Sequence, residues 1–196
     1  VEIAGKNPEK KVVFLGVGFE TTAPTIAASL LSAKQGGVTN YSVFSAHKLV
    51  PPALAALMSG SQVNLDGFIL PGHVSVVIGL NAYKPFFDKY RIPCVVAGFE
   101  PVDLLQAIAM LVEQVEKNTP TLENAYDRVV AEGGNRTAQS ILDQVFESAD
   151  VAWRGIGVIP QSGLKIKDEF SAFDAEKIFT IDLPESEDFE TIGGFI

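Results

Sequence analysis

Short apolar runs alternate with stretches of helical periodicity along most of this chain. Val12–Val17 reads as a buried strand, and Thr22–Ala33 as the helix after it. Tyr41–Ala46 is a second strand, and the Pro51-Pro52 pair opens a short helix that stops at Gly60. Gly67–Leu70 is a third strand, with Ser75 placed to cap the turn after it; Cys94–Ala97 is a fourth and Ile156–Ile159 a fifth. Three helices are expected between the last two strands. Leu104, Leu105, Ile108, Leu111, Val112 and Val115 repeat at helical spacing behind Pro101, a residue suited to a first turn. Leu122, Tyr126, Val129 and Val130 repeat likewise and are closed by Gly133-Gly134. Asn135 then caps a helix whose apolar face is Ala138, Ile141, Leu142, Val145 and Phe146. Val- and Ile-rich runs without alternation, separated by helices, indicate an open parallel sheet of about five strands covered on both faces. The predicted class is α/β, a Rossmann-like three-layer sandwich. Residues 1–164 form that domain, and 165–196 an acidic, turn-rich C-terminal segment.

Composition narrows the function classes. Hydrophobic residues make up 47% of the 196 and charged residues 20%, which is the balance of a folded domain. The formal charge of −9 leaves no basic stripe for phosphate neutralisation, so no nucleic acid is expected as a partner. A single cysteine, Cys94, excludes an internal disulfide framework, a paired-cysteine zinc site and a self-contained iron–sulfur cluster. Its place inside a strand predicts a buried, inert thiol. No apolar run reaches a membrane span, and no basic segment leads into an apolar core at the start, so a cytoplasmic setting without a signal peptide is expected. A first residue other than Met, and an end at Thr191–Ile196 that reads as interrupted, point to a piece of something longer.

Candidate chemistry gathers at the predicted strand tips. In open parallel sheets ligands bind beyond the carboxyl ends of the strands. Here those ends read Gly18-Phe19-Glu20-Thr21-Thr22, Ser45-Ala46-His47-Lys48, Pro71-Gly72-His73-Val74-Ser75, Gly98-Phe99-Glu100 and Pro160-Gln161-Ser162-Gly163. Both histidines of the chain lie there. Gly-Phe-Glu occurs twice, at 18–20 and 98–100, each time where a strand hands over to a helix. Glu20 and Glu100 are placed either to cap helix N-termini or to act in a site. His47, His73 and Glu20 have the donor types of a His₂-carboxylate metal site, without the spacing of a known motif. Gly16-Val17-Gly18 begins like a dinucleotide fingerprint, but Thr21 replaces its third glycine and no ribose-binding acid comes after the second strand. Trp153-Arg154-Gly155 reads as an aromatic anchor, and Asn135-Arg136-Thr137 as a helix cap rather than a glycosylation site.

Five segments in order, Gly18–Pro24, His47–Pro52, Pro71–Ser75, Ala97–Pro101 and Trp153–Pro160, give the chain a resemblance to the HypD family of hydrogenase maturation proteins, from about Lys11 to Phe179. The resemblance implies a scaffold rather than a stand-alone enzyme, one that helps to build the Fe(CN)₂CO unit of nickel–iron hydrogenases. It implies two similar α/β domains around a cleft, with this chain corresponding to the second domain and the segment after it. It also implies a HypC-type chaperone and a HypE-type cyanide donor as partners. The family carries a 4Fe–4S cluster and holds its iron fragment through cysteines that this chain lacks, so no cofactor or metal ligand is expected within it. On the same resemblance, Glu20, Thr21, Thr22, His73 and Ser75 hydrogen-bond or relay protons to the iron fragment. Gly18, Phe19, His47, Gly72 and Glu100 line its binding place. The alternative is a nucleotide- or metal-dependent α/β enzyme that uses Glu20, His47 and His73.

Overall fold

The computed structural model describes residues 1–59 and 64–180. After a short helix α1 (Glu2–Lys6), strand β1 (Val12–Gly18), helix α2 (Ala23–Gln35) and strand β2 (Tyr41–His47) form a βαβ unit. Its strands pair in parallel along their whole length, from Val12 opposite Tyr41 to Gly18 opposite His47. Helix α3 (Val50–Met58) leads to β3 (Phe68–Pro71), α4 (Gly72–Ile78), a 3₁₀ turn (Leu80–Tyr83), α5 (Lys84–Tyr90) and β4 (Cys94–Ala97). Helix α6 (Pro101–Glu116) and β5 (Leu122–Asn124) complete a second parallel sheet in the order β3-β4-β5. Next come helix α7 (Arg136–Val145), an antiparallel hairpin of β6 (Phe146–Trp153) and β7 (Gly157–Ile166), a 3₁₀ segment (Asp168–Phe173) and α8 (Ala175–Ile178).

The second parallel sheet has a core on each face, for the reason the pattern suggested. Strand β4 is buried on both faces: Cys94 and Val96 pack with Leu70, Tyr83 and Phe86, whereas Val95 and Ala97 pack with Ala107 and Ala125. Strand period two thus serves two separate layers. The other core joins α2 to β2, α7 and the hairpin through Ile26, Leu30, Val43, Val145, Phe146 and Ile166. Asn135 caps α7 as expected, accepting from the Ala138 N–H at 3.0 Å.

Several expectations are corrected. The parallel strands are divided between two sheets, β1-β2 and β3-β4-β5, rather than joined in one sheet of five. The predicted fifth strand is part of β7, an antiparallel partner of β6; Leu49 N–H donates to Ser162 O at 2.8 Å and seats this hairpin against the end of β2. The apolar run at 122–130 is a short strand and turns, not a helix. Leu122 is drawn into register with Cys94, and Asn124 holds the turn by donating to Val130 O and accepting from Tyr126 N–H. Phe146 opens a strand instead of closing a helix. Gly60 and the tail beyond residue 180 lie outside the described residues.

Apolar side chains also remain uncovered. Leu15 and Val17 on β1 are 69% and 68% exposed. On α6, Val102, Leu105, Ile108, Val112 and Val115 form an exposed stripe. No described helix is long and apolar enough to cross a membrane.

Candidate functional site

The site begins where β1 ends. Gly18 has φ +146°, a backbone region that favours glycine, and an added Cβ would lie 2.4 Å from Thr22 Oγ1. The chain turns there: Thr22 N–H and hydroxyl both donate to Phe19 O, at 3.1 and 3.2 Å, while Gly18 O accepts from Lys48 N–H at 2.9 Å. That last bond ties the tips of β1 and β2 together. At the tip of β3, Gly72 is required by space, because a Cβ would meet Ala97 O at 2.3 Å.

These two turns meet at a cleft of about 760 Å³ lined by Phe19, Thr21, Val50, Pro71, His73 and Phe99, with Val74, Val76 and Val77 behind them. His73 is exposed and stands edge-on to Phe99, ring centroids 4.7 Å apart, with Tyr126 at 6.4 Å. The opening is mainly aromatic and aliphatic, with one imidazole and one hydroxyl as its polar elements. Such a surface suits a compact ligand that presents hydrogen-bond acceptors.

The other candidate residues lie elsewhere. Glu20 is 3% exposed and lines a second cavity, on which His73 does not border. Its Oε1 accepts from the Val50 N–H at 2.9 Å, so Glu20 caps the distant helix α3 rather than its own. Burial raises its carboxyl above the usual range, partly opposed by backbone N–H groups. His47 is buried against Phe146, ring centroids 5.7 Å apart. The Ser45 hydroxyl donates to Leu164 O at 2.9 Å, so His47 Nδ1–H donates to Ser45 Oγ at 3.1 Å and Nε2 is left as a bare acceptor. Burial lowers the affinity of this imidazole for a proton.

Ser75 does not cap a turn; it lies inside α4 and is fully buried, donating to Pro71 O at 2.8 Å and accepting from the Tyr83 hydroxyl at 3.0 Å. Its role is to hold the His73 turn, and Tyr83 is driven to a higher pKa chiefly by burial. Glu100 precedes α6 without a capping bond and faces solvent. Among the described residues, no three His, Cys, Asp or Glu side chains gather closely enough to hold a metal ion. The proposed trio of Glu20, His47 and His73 is therefore not assembled. Cys94 is buried as expected, its thiol pushed up to about 12 by desolvation.

Sequence reasoning missed one strong pair near the cleft. Asp103, almost fully buried, is gripped by both terminal nitrogens of Arg128 at 2.7 Å, and the guanidinium lies over Tyr126, itself beside His73. An Asp in the first turn of a helix and an Arg 25 residues later carry no local signal of partnership. Lys48 donates to Ala152 O at 2.7 Å and lies near the Trp153 ring. Trp153 acts as the expected anchor, with its indole N–H donating to Ser162 Oγ at 2.8 Å and its ring 6.3 Å from Phe19.

Comparison with known proteins places this geometry in a family. The HypD family model, described as the hydrogenase formation hypA family, matches residues 1–193. A hydrogenase maturation factor HypD of Azotobacter vinelandii is 43% identical over 188 residues, covering 93% of this chain and 50% of that protein. Its counterpart from Rhodobacter capsulatus is 44% identical over 182 residues, 92% of this chain and 48% of that protein. The Escherichia coli protein of the same name is 44% identical over 180 residues, 91% and 48% respectively. The chain thus spans about half the length of the curated relatives it matches. On a family match across nearly its whole length and identities above 40% over nine-tenths of it, this chain belongs to the HypD family.

Proposed function

We propose that this chain supplies one wall of a site on which the Fe(CN)₂CO unit of a nickel–iron hydrogenase is assembled, as part of a longer maturation scaffold rather than as a stand-alone enzyme. The observation that carries this reading is the meeting of two strand-tip turns, through Phe19 and Thr21 from one and His73 from the other, at a single cleft closed by Phe99. A metal-bound cyanide presents a nitrogen lone pair outward. The Thr21 hydroxyl and a His73 N–H are donors suited to it, and the two phenylalanines exclude water around it. The iron fragment is cargo in this scheme. Its ligands lie outside this chain, because Cys94 is buried and holds its proton far above neutrality.

In this reading Gly18 and Gly72 set the two turns, Thr22 fastens the first and Ser75 the second. Glu20 positions α3, whose first residue Val50 lines the same cleft. The uncovered faces of β1 and α6 are where the other half of the longer protein packs, since exposed apolar area of this kind is rare on free-standing domains. A HypC-type chaperone and a HypE-type cyanide donor are the proposed partners, and the cytoplasm the proposed compartment. The test is His73→Ala and Thr21→Val in a full-length HypD that carries this half. Each should lower hydrogenase maturation by at least about tenfold while folded protein accumulates normally. Maturation at wild-type level in both variants would sink the proposal.

A further inference from the structure

The second cavity, on which Glu20 borders, enters the maturation reading only through the hold of Glu20 on α3. Its volume is about 420 Å³, within the range of small-molecule sites. Its walls are apolar, with Leu142 from α7, Phe146 from β6 and Leu164 from β7 prominent among them. Its polar groups all point to one kind of partner. Glu20 Oε1 is taken by the Val50 N–H, but Oε2, buried with the rest of the side chain, has no hydrogen-bond partner among the described residues. Gln139 spends both of its amide N–H groups on Val77 O and Gly133 O, at 2.7 and 2.8 Å, leaving only its carbonyl free. Ser148 donates its hydroxyl proton to Gln161 Oε1 at 2.5 Å. Asp143 and Glu147, both exposed, add carboxylates, the latter paired with Lys165 at 3.5 Å. No Lys, Arg or His is among the described residues that line the cavity.

The free polar side-chain atoms in this cavity are therefore hydrogen-bond acceptors, and three of the groups are acids. A buried carboxyl without a partner is costly, and a cation with N–H donors is what offsets that cost. The apolar walls argue for a carbon body rather than a bare metal ion, and no metal-holding cluster forms there among the described residues. From this we infer that the cavity is a binding site for an organic cation, an ammonium or guanidinium group on an apolar body, with the charged head against Glu20 and the body between Leu142, Phe146 and Leu164. Burial disfavours the ionised Glu20 carboxyl, and a cation bound beside it would favour that form again. The inference is independent of the cleft about His73, which is a different opening.

The test titrates the full chain with n-butylguanidinium and with its neutral isostere n-butylurea. Binding is monitored by thermal stabilisation and by methyl NMR shifts of Leu142 and Leu164. The guanidinium should saturate and move those methyls, with the urea weaker by at least about tenfold. Glu20→Gln should remove that preference, and Leu142→Trp, which fills the cavity, should abolish binding of both while the chain stays folded. Equal affinity for the charged and neutral probes would show simple partition into an apolar hole and overturn the inference. So would shifts that map to Val74 and Val77 at the cleft, or an unchanged preference in Glu20→Gln. Should Glu20→Gln fail to fold, the Leu142→Trp result and the methyl map decide the matter by themselves.

Discussion

The two Gly-Phe-Glu turns carry the same three residues to opposite ends. Both close a parallel strand and open a helix with a proline in its first turn. In the first, the glutamate is buried: Glu20 accepts the Val50 N–H of α3, and its other oxygen has no hydrogen-bond partner among the described residues. In the second, the glutamate is solvent-facing, and the buried acid is Asp103, three residues further on, held by Arg128. The two buried acids consequently titrate in opposite directions. Burial raises Glu20, whereas the hydrogen bonds from Arg128 lower Asp103. A shared tripeptide sets a turn; the presence or absence of one cation nearby sets its chemistry.

The largest effects should come from the glycines, and the two should differ in kind. Gly98→Ala would put a Cβ 2.0 Å from Asp103 Oδ2 and 2.9 Å from the Tyr126 ring. It should cost about 2–3 kcal/mol in chemical denaturation, and much of that should return when Asp103→Ala removes the obstacle. Gly18→Ala should cost about 1–2 kcal/mol, and Thr22→Ala should rescue it less, because the backbone at φ +146° stays strained whatever the side chains do. Full rescue at both positions would erase the distinction between crowding and backbone strain.

A smaller effect, but a sharper one, lies in the pH dependence of Arg128→Met. With Arg128 present, Asp103 ionises below its unfolded pKa of 3.8; its contribution to stability is present above that pH and is lost as pH falls through the folded pKa. Without Arg128, desolvation is opposed only by the smaller effect of the Glu100 backbone hydrogen bond, and the slope should reverse so that stability falls as pH rises through 3.8. Urea midpoints at about pH 3 to 6 would show whether it does.

The smallest change expected is for Glu20→Gln, again read as a slope. Glu20 has a folded pKa above 4.5, so the unfolded chain ionises first as pH rises. Its contribution is therefore present below pH 4.5 and is lost as pH climbs through the folded pKa. Wild type should lose ground to Glu20→Gln across that window. Parallel pH profiles for the two proteins would mean that Glu20 is not desolvated and that the contrast between the turns is false.

Most of the elements were legible in the sequence because their causes are local. Runs of Val and Ile marked β1 to β4, Pro101 and a repeat of leucines and valines marked α6, and Asn135 marked the start of α7. The misreadings share a different cause. Leu122–Val130 has helical spacing, yet pairing with Cys94 and the side-chain bonds of Asn124 hold it as strand and turn. Ile156–Ile159 has the composition of a parallel strand, yet it comes after a tight turn at Arg154–Ile156 and so folds back on β6.

The site divides along the same line. That Phe19, Thr21, His73 and Phe99 sit at strand tips is fixed locally, because each lies just beyond an apolar run that ends at the sheet edge. Family membership is likewise carried by motifs along the chain. Which tips meet was decided by tertiary structure alone: Thr21 and His73 share the cleft, Glu20 turns into a separate cavity, and His47 and Ser75 are spent inside the fold. The physical reason is that a side chain's charge and reach depend on burial and on partners distant in sequence. Val50 is 30 residues from Glu20 and Arg128 is 25 from Asp103, and no local pattern records either pairing.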